Sequence, residues 1–363
     1  MSILFRYVLR EYAKIFFMCF LGLMTIYLVI DFFEKVRRFL HYDASWADVI
    51  SYFLLKTPGI SFQIAPLAVL MATLLTLGLL SRSHEITAMR SCGISLPWIT
   101  SPFLTFAVVV ALVLLLFSST VIPLASNKAE AIRVTQIEKK PPSAVLKLPS
   151  PWNRVDADTL LHVDSVAIGG NPLGGIRLYH FDESFQLIDM TDAEEARYSE
   201  RAWTLFHGFH RRFNQDGTVT FEQFDRKAIS LNLIPSDFVG GIAGDSDSMT
   251  FHDLRDYTGR LFQNSAQFSR LRTDYYGRIA FPFVTVVMVL VGIALSLRRS
   301  GARGGSMAVG IGQALVIGFL YWATHSIAIA FGHGGVLPPL LAGWLTNTLF
   351  LSYGLYLVLK VRY

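Results

Sequence analysis

Lys35, Arg37 and Arg38 follow the aromatic pair Phe32-Phe33 at the end of a long apolar run. A basic rim above an aromatic, apolar surface suits an amphiphile with phosphate headgroups: guanidinium forks donate to phosphate oxygens bidentately, while the apolar wall below takes acyl chains. The same residues also suit a plainer task. Long basic side chains anchor a helix by snorkelling to a headgroup layer, or pair with Asp31 and Glu34 one turn away. Charge alone leaves both readings open.

A second constellation is Ser81-Arg-Ser-His84-Glu85-Ile86-Thr-Ala-Met89-Arg-Ser-Cys-Gly93. It is short and polar, with Ile86, Met89 and Ile94 at helical spacing and Gly93 as a stop signal. Such a helix can dock in a partner's groove, or it can lie on a bilayer.

Other chemistries are poorly served. A phosphate-binding loop ends in Gly-Lys followed by Ser or Thr, and the chain contains no Gly-Lys pair; the glycine-rich Gly301-Ala-Arg-Gly-Gly305 has no such lysine. Energy must therefore come from a partner or an ion gradient, and a gradient-coupled carrier places carboxylates mid-bilayer, where only Asp31 comes near. His207 and His210 would face opposite sides of a strand, which does not suit one metal. Gly332-His-Gly-Gly335 lacks an accompanying Gly-x-Ser-x-Gly elbow and reads as a tight turn before Pro338-Pro339. His325 reads as a hydrogen-bonded interior residue. No catalytic or metal site is expected, and no cofactor bound by this chain.

The elements that position these residues follow from composition. With 363 residues, 52% hydrophobic and only 16% charged, the chain is too apolar for an ordinary water-soluble surface. Six stretches are long enough to span a bilayer: Ile15 to Phe33, Gly59 to Leu80, Trp98 to Ile122, Ile279 to Leu297, Met307 to Phe331 and Leu337 to Leu359. Pro66, Pro102 and Pro282 are expected near helix ends or inside the first turns, as kinks and not breaks. The first run follows Arg6, Arg10 and Lys14 as a signal peptide would, but it is full length without a small-residue cleavage site and reads as a retained helix. Between the two groups of three spans lie short runs of strand character, Leu160 to Ile168, Gly175 to Phe181 and Thr218 to Phe224, separated by Gly169-Gly-Asn-Pro172 and Asn214-Gln-Asp-Gly217 turns. Residues 242–247 read as a loop, and a polar helical stretch runs from Asp253 to Arg272. The expected fold is a membrane α-helical bundle of six transmembrane helices with an inserted β-sandwich or jelly-roll-like domain. Its boundaries fall at 1–125, with the short helix at about 82–93, then 126–275 and 276–363.

Orientation follows from short-loop Lys and Arg. Arg6, Arg10, Lys14, Arg82, Arg90, Arg298, Arg299, Arg303, Lys360 and Arg362 fall on one side, which predicts a cytoplasmic face holding both termini and an extracytoplasmic β domain. The net charge of +5 thus reads as topology, not nucleic-acid binding. Lys35, Arg37 and Arg38 are the exception to the pattern. Cys19 and Cys92 both lie outside the β domain, which must be held by packing alone.

Ala65-Pro-Leu-Ala-Val-Leu70, the Ser81 to Ile94 segment and the three-plus-three layout resemble the lipopolysaccharide-export permeases, the paired LptF and LptG subunits of an ABC transporter. Gly174-Gly-Ile-Arg-Leu-Tyr179 and Gly335-Val-Leu-Pro-Pro-Leu-Leu-Ala-Gly343 look more like LptG. The resemblance implies a heterodimer with the sister permease, driven by two copies of a cytoplasmic ATPase that holds ATP and magnesium. Such a complex extracts lipopolysaccharide from the outer leaflet of the inner membrane and passes it to a periplasmic bridge protein with a similar β domain. It assigns lipid phosphate contacts to basic residues that here match Arg37 and Arg38, with Lys35 nearby, and ATPase docking to the helix centred on Glu85; the sequence itself adds Phe32 and Phe33 to the first candidate surface and His84, Ile86 and Met89 to the second. In the family the first and fifth spans form a lateral gate, which makes Tyr321 and Trp322 candidates for its lining. One departure is Asp31, two turns before Arg38, where relatives can carry a base. The competing classes are a mechanotransmitting ABC-type subunit that does not carry lipid, for which a basic entrance has no use, and a lipid-headgroup enzyme, for which the clustered His, Asp and Glu are missing.

Overall fold

The computed structural model describes residues 2–42, 45–138, 145–147, 152–167, 170–199, 202–214, 217–231, 233–235, 238, 249–260, 266–299 and 307–360. They form two compact units, one of residues 1–129 and 273–363, the other of 130–272.

In the first unit, α1 (Ser2–His41) is a single helix of 40 residues. It contains no proline, and its one glycine, Gly22, stands in open space, so nothing in its sequence stops it. After it come α2 (Trp46–Arg82), the short α3 (Glu85–Ser91) and α4 (Leu96–Leu116). A π-helical turn (Phe117–Val121) continues α4 into α5 (Ile122–Ile132), whose last residues, with a second π-helical turn (Arg133–Ile137), already belong to the second unit. The other half holds α7 (Ala266–Ala280) from Thr273 onward, α8 (Val284–Arg299), α9 (Met307–His333) and α10 (Pro339–Leu359), while α6 (Phe251–Arg260) and the first residues of α7 belong to the second unit. Among the described residues, six helical stretches are long and apolar enough to cross a membrane: Ile3–Arg37, Trp46–Arg82, Leu96–Ile137, Phe268–Ser296, Val309–His333 and Pro339–Leu359. Several outrun the apolar stretches expected from sequence, because amphipathic and polar turns continue the same helices beyond the apolar length.

The buried helix is α2. Apart from Leu67, every residue from Ile64 to Leu77 is buried, consistent with a helix apolar on all sides. Pro66 therefore lies deep inside α2 and not near its end, whereas Pro102 stands in the second turn of α4, as expected. Against α2 pack Val8, Tyr12 and Phe16 of α1, Ile99 and Phe103 of α4, and Val284, Met288 and Val289 of α8. At their centre, the Tyr12 hydroxyl lies 3.1 Å from Thr73 Oγ1 and its ring 4.6 Å from that of Phe103. Pro282 opens a single 3-10 turn, Phe281–Phe283, between α7 and α8. There the Val284 N–H bonds back to Phe281 and releases the Ala280 carbonyl, which accepts from Asn347 Nδ2 at 2.7 Å.

The second unit is an antiparallel seven-stranded sheet: β1 (Val145–Lys147), β2 (Trp152–Arg154), β3 (Thr159–Ala167), β4 (Leu173–Phe181), β5 (Leu187–Ser199), β6 (Ala202–Phe213) and β7 (Val219–Ile229). Strands β3 to β7 pair consecutively, and β1 and β2 lie end to end along the other edge of β3. The inserted β domain expected from sequence is present, and the helix expected from Asp253 contributes α6 and α7. The segment 242–247 lies outside the described residues.

One line crosses the whole sheet. Asp164, Gly175, Glu194, His207 and Asp225 are each skipped in the pairing of successive strands. Across it the buried positions change parity: Val163 and Val166, Ile176 and Leu173, Ala193 and Ala196 are all buried three residues apart. The backbone turns at this line with positive φ at Gly175 (64°) and His207 (51°). Gly175 is required twice over there, by its φ and because a Cβ would sit 2.3 Å from Asp164 Oδ2. Trp203, fully buried, closes the core with its indole N–H donating to the Leu233 carbonyl at 2.7 Å.

Candidate lipid-contact and coupling surfaces

The C-terminal end of α1 packs on the start of α2 through aromatic rings. Phe32 meets Phe53 at 5.7 Å, and the buried Phe39 meets Tyr52 at 5.5 Å. This leaves the basic residues unequal. Lys35 donates to Asp31 Oδ1 one turn back, in an ion pair that neutralises a nearly buried carboxylate. Arg37 is exposed and makes no ion pair among the described residues, and Phe33 is 70% exposed. The side chain of Arg38 lies outside the described residues. On the neighbouring helix, Lys56 Nζ sits 5.3 Å from the Tyr52 ring centre. The cluster's residues thus differ: Lys35 pairs locally with Asp31, and Arg37 is exposed one helical turn from Phe33.

The second surface is α3. A two-residue elbow, Ser83-His84, joins it to α2, with His84 exposed and left-handed at φ 59°. Ile86 and Met89 are buried in the same core as Val8 and Ile99, so the apolar pair seen in the sequence faces the chain's own helices. The opposite side, Thr87, Ala88, Arg90 and Ser91, is exposed. Glu85 is half-buried with both carboxylate oxygens engaged: Ser83 Oγ donates to Oε1 at 2.8 Å and Tyr7 Oη to Oε2 at 3.0 Å. Tyr7 had no sequence signal, being 78 positions away on another helix.

In α9, Tyr321 is buried and donates to Asn347 Oδ1 at 2.7 Å, while the adjacent Trp322 is 64% exposed. His325 is held by ring packing, 5.9 Å from Tyr321 and 5.7 Å from Phe281, and its buried Nδ1 has no hydrogen-bond partner among the described residues. Among the described residues, the groups packed against the ring are the aromatic faces of Tyr321 and Phe281. The Gly332 to Gly335 turn is tight, with Gly335 N–H bonding the Gly332 carbonyl, and His333 Nε2 lies 2.6 Å from Asp274 Oδ1. In the β domain, His210 Nδ1 bonds Thr191 Oγ1 at 2.9 Å whereas His207 is exposed at the sheet's crossing line. Arg197 there holds the Glu195 carboxyl below the ordinary carboxylate range. No group of three potential metal ligands occurs among the described residues.

Residues 6–360 match the model of the lipopolysaccharide export system permease LptF/LptG family. The chain belongs to this family. Among curated relatives, the lipopolysaccharide export system permease protein LptG of Escherichia coli K12 is 23% identical over 367 residues, covering 99% of this chain and 98% of that protein. LptG of Haemophilus influenzae is 24% identical over 348 residues, covering 93% and 94%. LptF of Escherichia coli K12 is 24% identical over 371 residues, covering 98% and 94%. The chain is somewhat closer to the LptG relatives than to LptF. As an LptF/LptG permease with six span-length helices it is a multi-pass membrane protein and a transporter subunit, not an enzyme.

Proposed function

We propose that this chain is the LptG-type permease of an ABC exporter that withdraws lipopolysaccharide from the outer leaflet of the bacterial inner membrane and hands it to a periplasmic bridge. The observation that carries this reading is the outer end of α1, where the exposed guanidinium of Arg37, with no ion pair among the described residues, stands one helical turn from the exposed Phe33 ring: charge for a phosphate, surface for an acyl chain. The sister permease completes the membrane path, and the exposed Trp322 on α9 lines it from this subunit while Tyr321 holds α9 in place behind it. The β domain receives the lipid in the periplasm. Two cytoplasmic ATPases, which hold ATP and magnesium, dock on the exposed side of α3 with Glu85 as the charged contact.

Arg37→Glu in the reconstituted complex is expected to lower photo-crosslinking of lipopolysaccharide to the outer end of α1 about tenfold, which corresponds to ~1.4 kcal/mol, the scale of one exposed charge-assisted contact. Lys35→Ala should change it far less, because Asp31 already occupies that ammonium. Crosslinking at wild-type level in Arg37→Glu, with normal assembly, would return Arg37 to a membrane anchor.

Topology has its own test. Cysteine introduced at the exposed Glu183, between β4 and β5, is expected to react with an impermeant maleimide once the outer membrane is opened. Cysteine at exposed Arg90 should react only after the inner membrane is breached. The reverse order of labelling would place the β domain in the cytoplasm and end the export reading.

A further inference from the structure

We propose that Tyr7 is a positioning residue that makes α1 a second route for force leaving the coupling helix, alongside α2. This deepens the reading of α3 as the ATPase-docking element and rests on it. Three observations carry it. Tyr7 Oη donates to Glu85 Oε2 at 3.0 Å, joining two elements far apart in sequence. Ser83 Oγ fixes the other carboxylate oxygen at 2.8 Å and so holds the rotamer that faces Tyr7. And α1 runs without interruption from Ser2 to His41, so Tyr7 and Arg37 stand on one rod about 45 Å apart at ~1.5 Å per residue.

Without this bond, α3 is held by the Ser83-His84 elbow to α2 and by the Ile86 and Met89 side chains in the core. An elbow with a left-handed residue transmits a push along α2 but resists rotation weakly. The Tyr7 bond adds a fixed point on a different helix, so a partner pulling on Glu85 pulls on α1 as well. The carboxylate can serve both neighbours: two oxygens offer about four acceptor positions, and the two hydroxyl donors fill two, leaving room for a partner's cation. The consequence lies at the other end of the rod, where Phe33 and Arg37 are presented. Movement of the coupling helix would shift the lipid-contact end of α1 directly.

The test uses the full transporter in nanodiscs and proteoliposomes, with Tyr7→Phe, Glu85→Gln, the double variant of these two, and Glu85→Lys. Tyr7→Phe keeps the ring and removes only the donor, so folding is spared. It is expected to speed backbone hydrogen–deuterium exchange at residues 87–91 about fivefold and to lower lipid released per ATP hydrolysed by a similar factor, with ATPase co-purification unchanged. The exchange increase in the double variant should equal that of the larger single variant, because both substitutions weaken one contact. Unchanged exchange and an unchanged transport-to-ATP ratio in Tyr7→Phe would overturn the proposal, and so would strictly additive effects in the double variant. If the docking reading itself is wrong, Glu85→Lys will retain the ATPase; the exchange arm then still decides whether Tyr7 positions α3.

Discussion

Glu85→Lys is expected to strip the ATPase from the complex and end lipid transport while leaving this chain folded. The two effects differ in size. Within the chain, Glu85 opens α3 beside the helix's positive end, where a lysine costs about 0.5 kcal/mol. The Tyr7 and Ser83 hydroxyls lose an anionic acceptor but remain in contact with water, since that surface is exposed. The two apolar anchors, Ile86 and Met89, are untouched. At the partner contact, by contrast, truncating one side of a charge pair typically costs about 2 to 5 kcal/mol, roughly 30-fold to several thousand-fold in affinity, and reversal adds repulsion. Association should therefore fail long before folding does. Co-purification of the ATPase, thermal unfolding in detergent and transport in proteoliposomes measure the three separately, with Glu85→Ala expected to fall between wild type and Glu85→Lys. Wild-type co-purification and transport in both variants would remove Glu85 from the docking surface.

The spans were legible in the sequence because a bilayer helix announces itself by apolar length alone, and each of the six was found in place. Their ends were not, since Ser2 to Lys14 and Trp46 to Pro58 are amphipathic continuations whose helical state depends on packing against the bundle. That is why Pro66 was expected near an end and lies in the interior of α2. In the β domain, β3, β4 and β7 carry β-branched and aromatic residues and could be read. Strand β5 contains Asp192-Ala-Glu-Glu-Ala-Arg197, a run with no local strand preference, which is held extended by its neighbours β4 and β6 on both edges. The change in parity at the Asp164 to Asp225 line also blurs simple alternation: a strand that bends buries positions three apart. Of the functional residues, the types were visible but the pairings were not. Nothing in the spacing distinguishes Lys35, held by Asp31, from Arg37, which is exposed, and no local pattern joins Tyr7 to Glu85 or His333 to Asp274. Long-range polar contacts are written in the fold.

Asn347→Leu is expected to lower the stability of the helical unit by about 2 kcal/mol, more than any change confined to its lipid-facing surface, and to be partly rescued by a second substitution. Asn347 is nearly fully buried and bridges two other helices: Nδ2 donates to the Ala280 carbonyl freed by the 3-10 turn, and Oδ1 accepts the Tyr321 hydroxyl, both at 2.7 Å. Leucine keeps the number and branching of the heavy atoms and is somewhat bulkier, so the loss is not that of a cavity. It leaves an unpaired carbonyl and an unpaired hydroxyl away from water, each costing about 1 to 3 kcal/mol in a dry interior. The lower part of that range applies, because hydrogen bonds between membrane helices are typically worth about 0.6 kcal/mol and up to ~1.7. The carbonyl cannot readily repair itself, since regaining a helical bond from Val284 means straightening a turn whose geometry Pro282 restricts. The hydroxyl can be removed. Tyr321→Phe alone should cost about 1 kcal/mol by stranding Asn347 Oδ1, yet added to Asn347→Leu it deletes the orphaned group and should recover part of the loss. Thermal unfolding of the four proteins in one detergent gives the cycle. Recovery in the double variant supports a hydrogen-bonded bridge between the fourth, fifth and sixth spans, whereas simple addition of the two losses would mean that Asn347 and Tyr321 act independently and that the freed Ala280 carbonyl finds another partner.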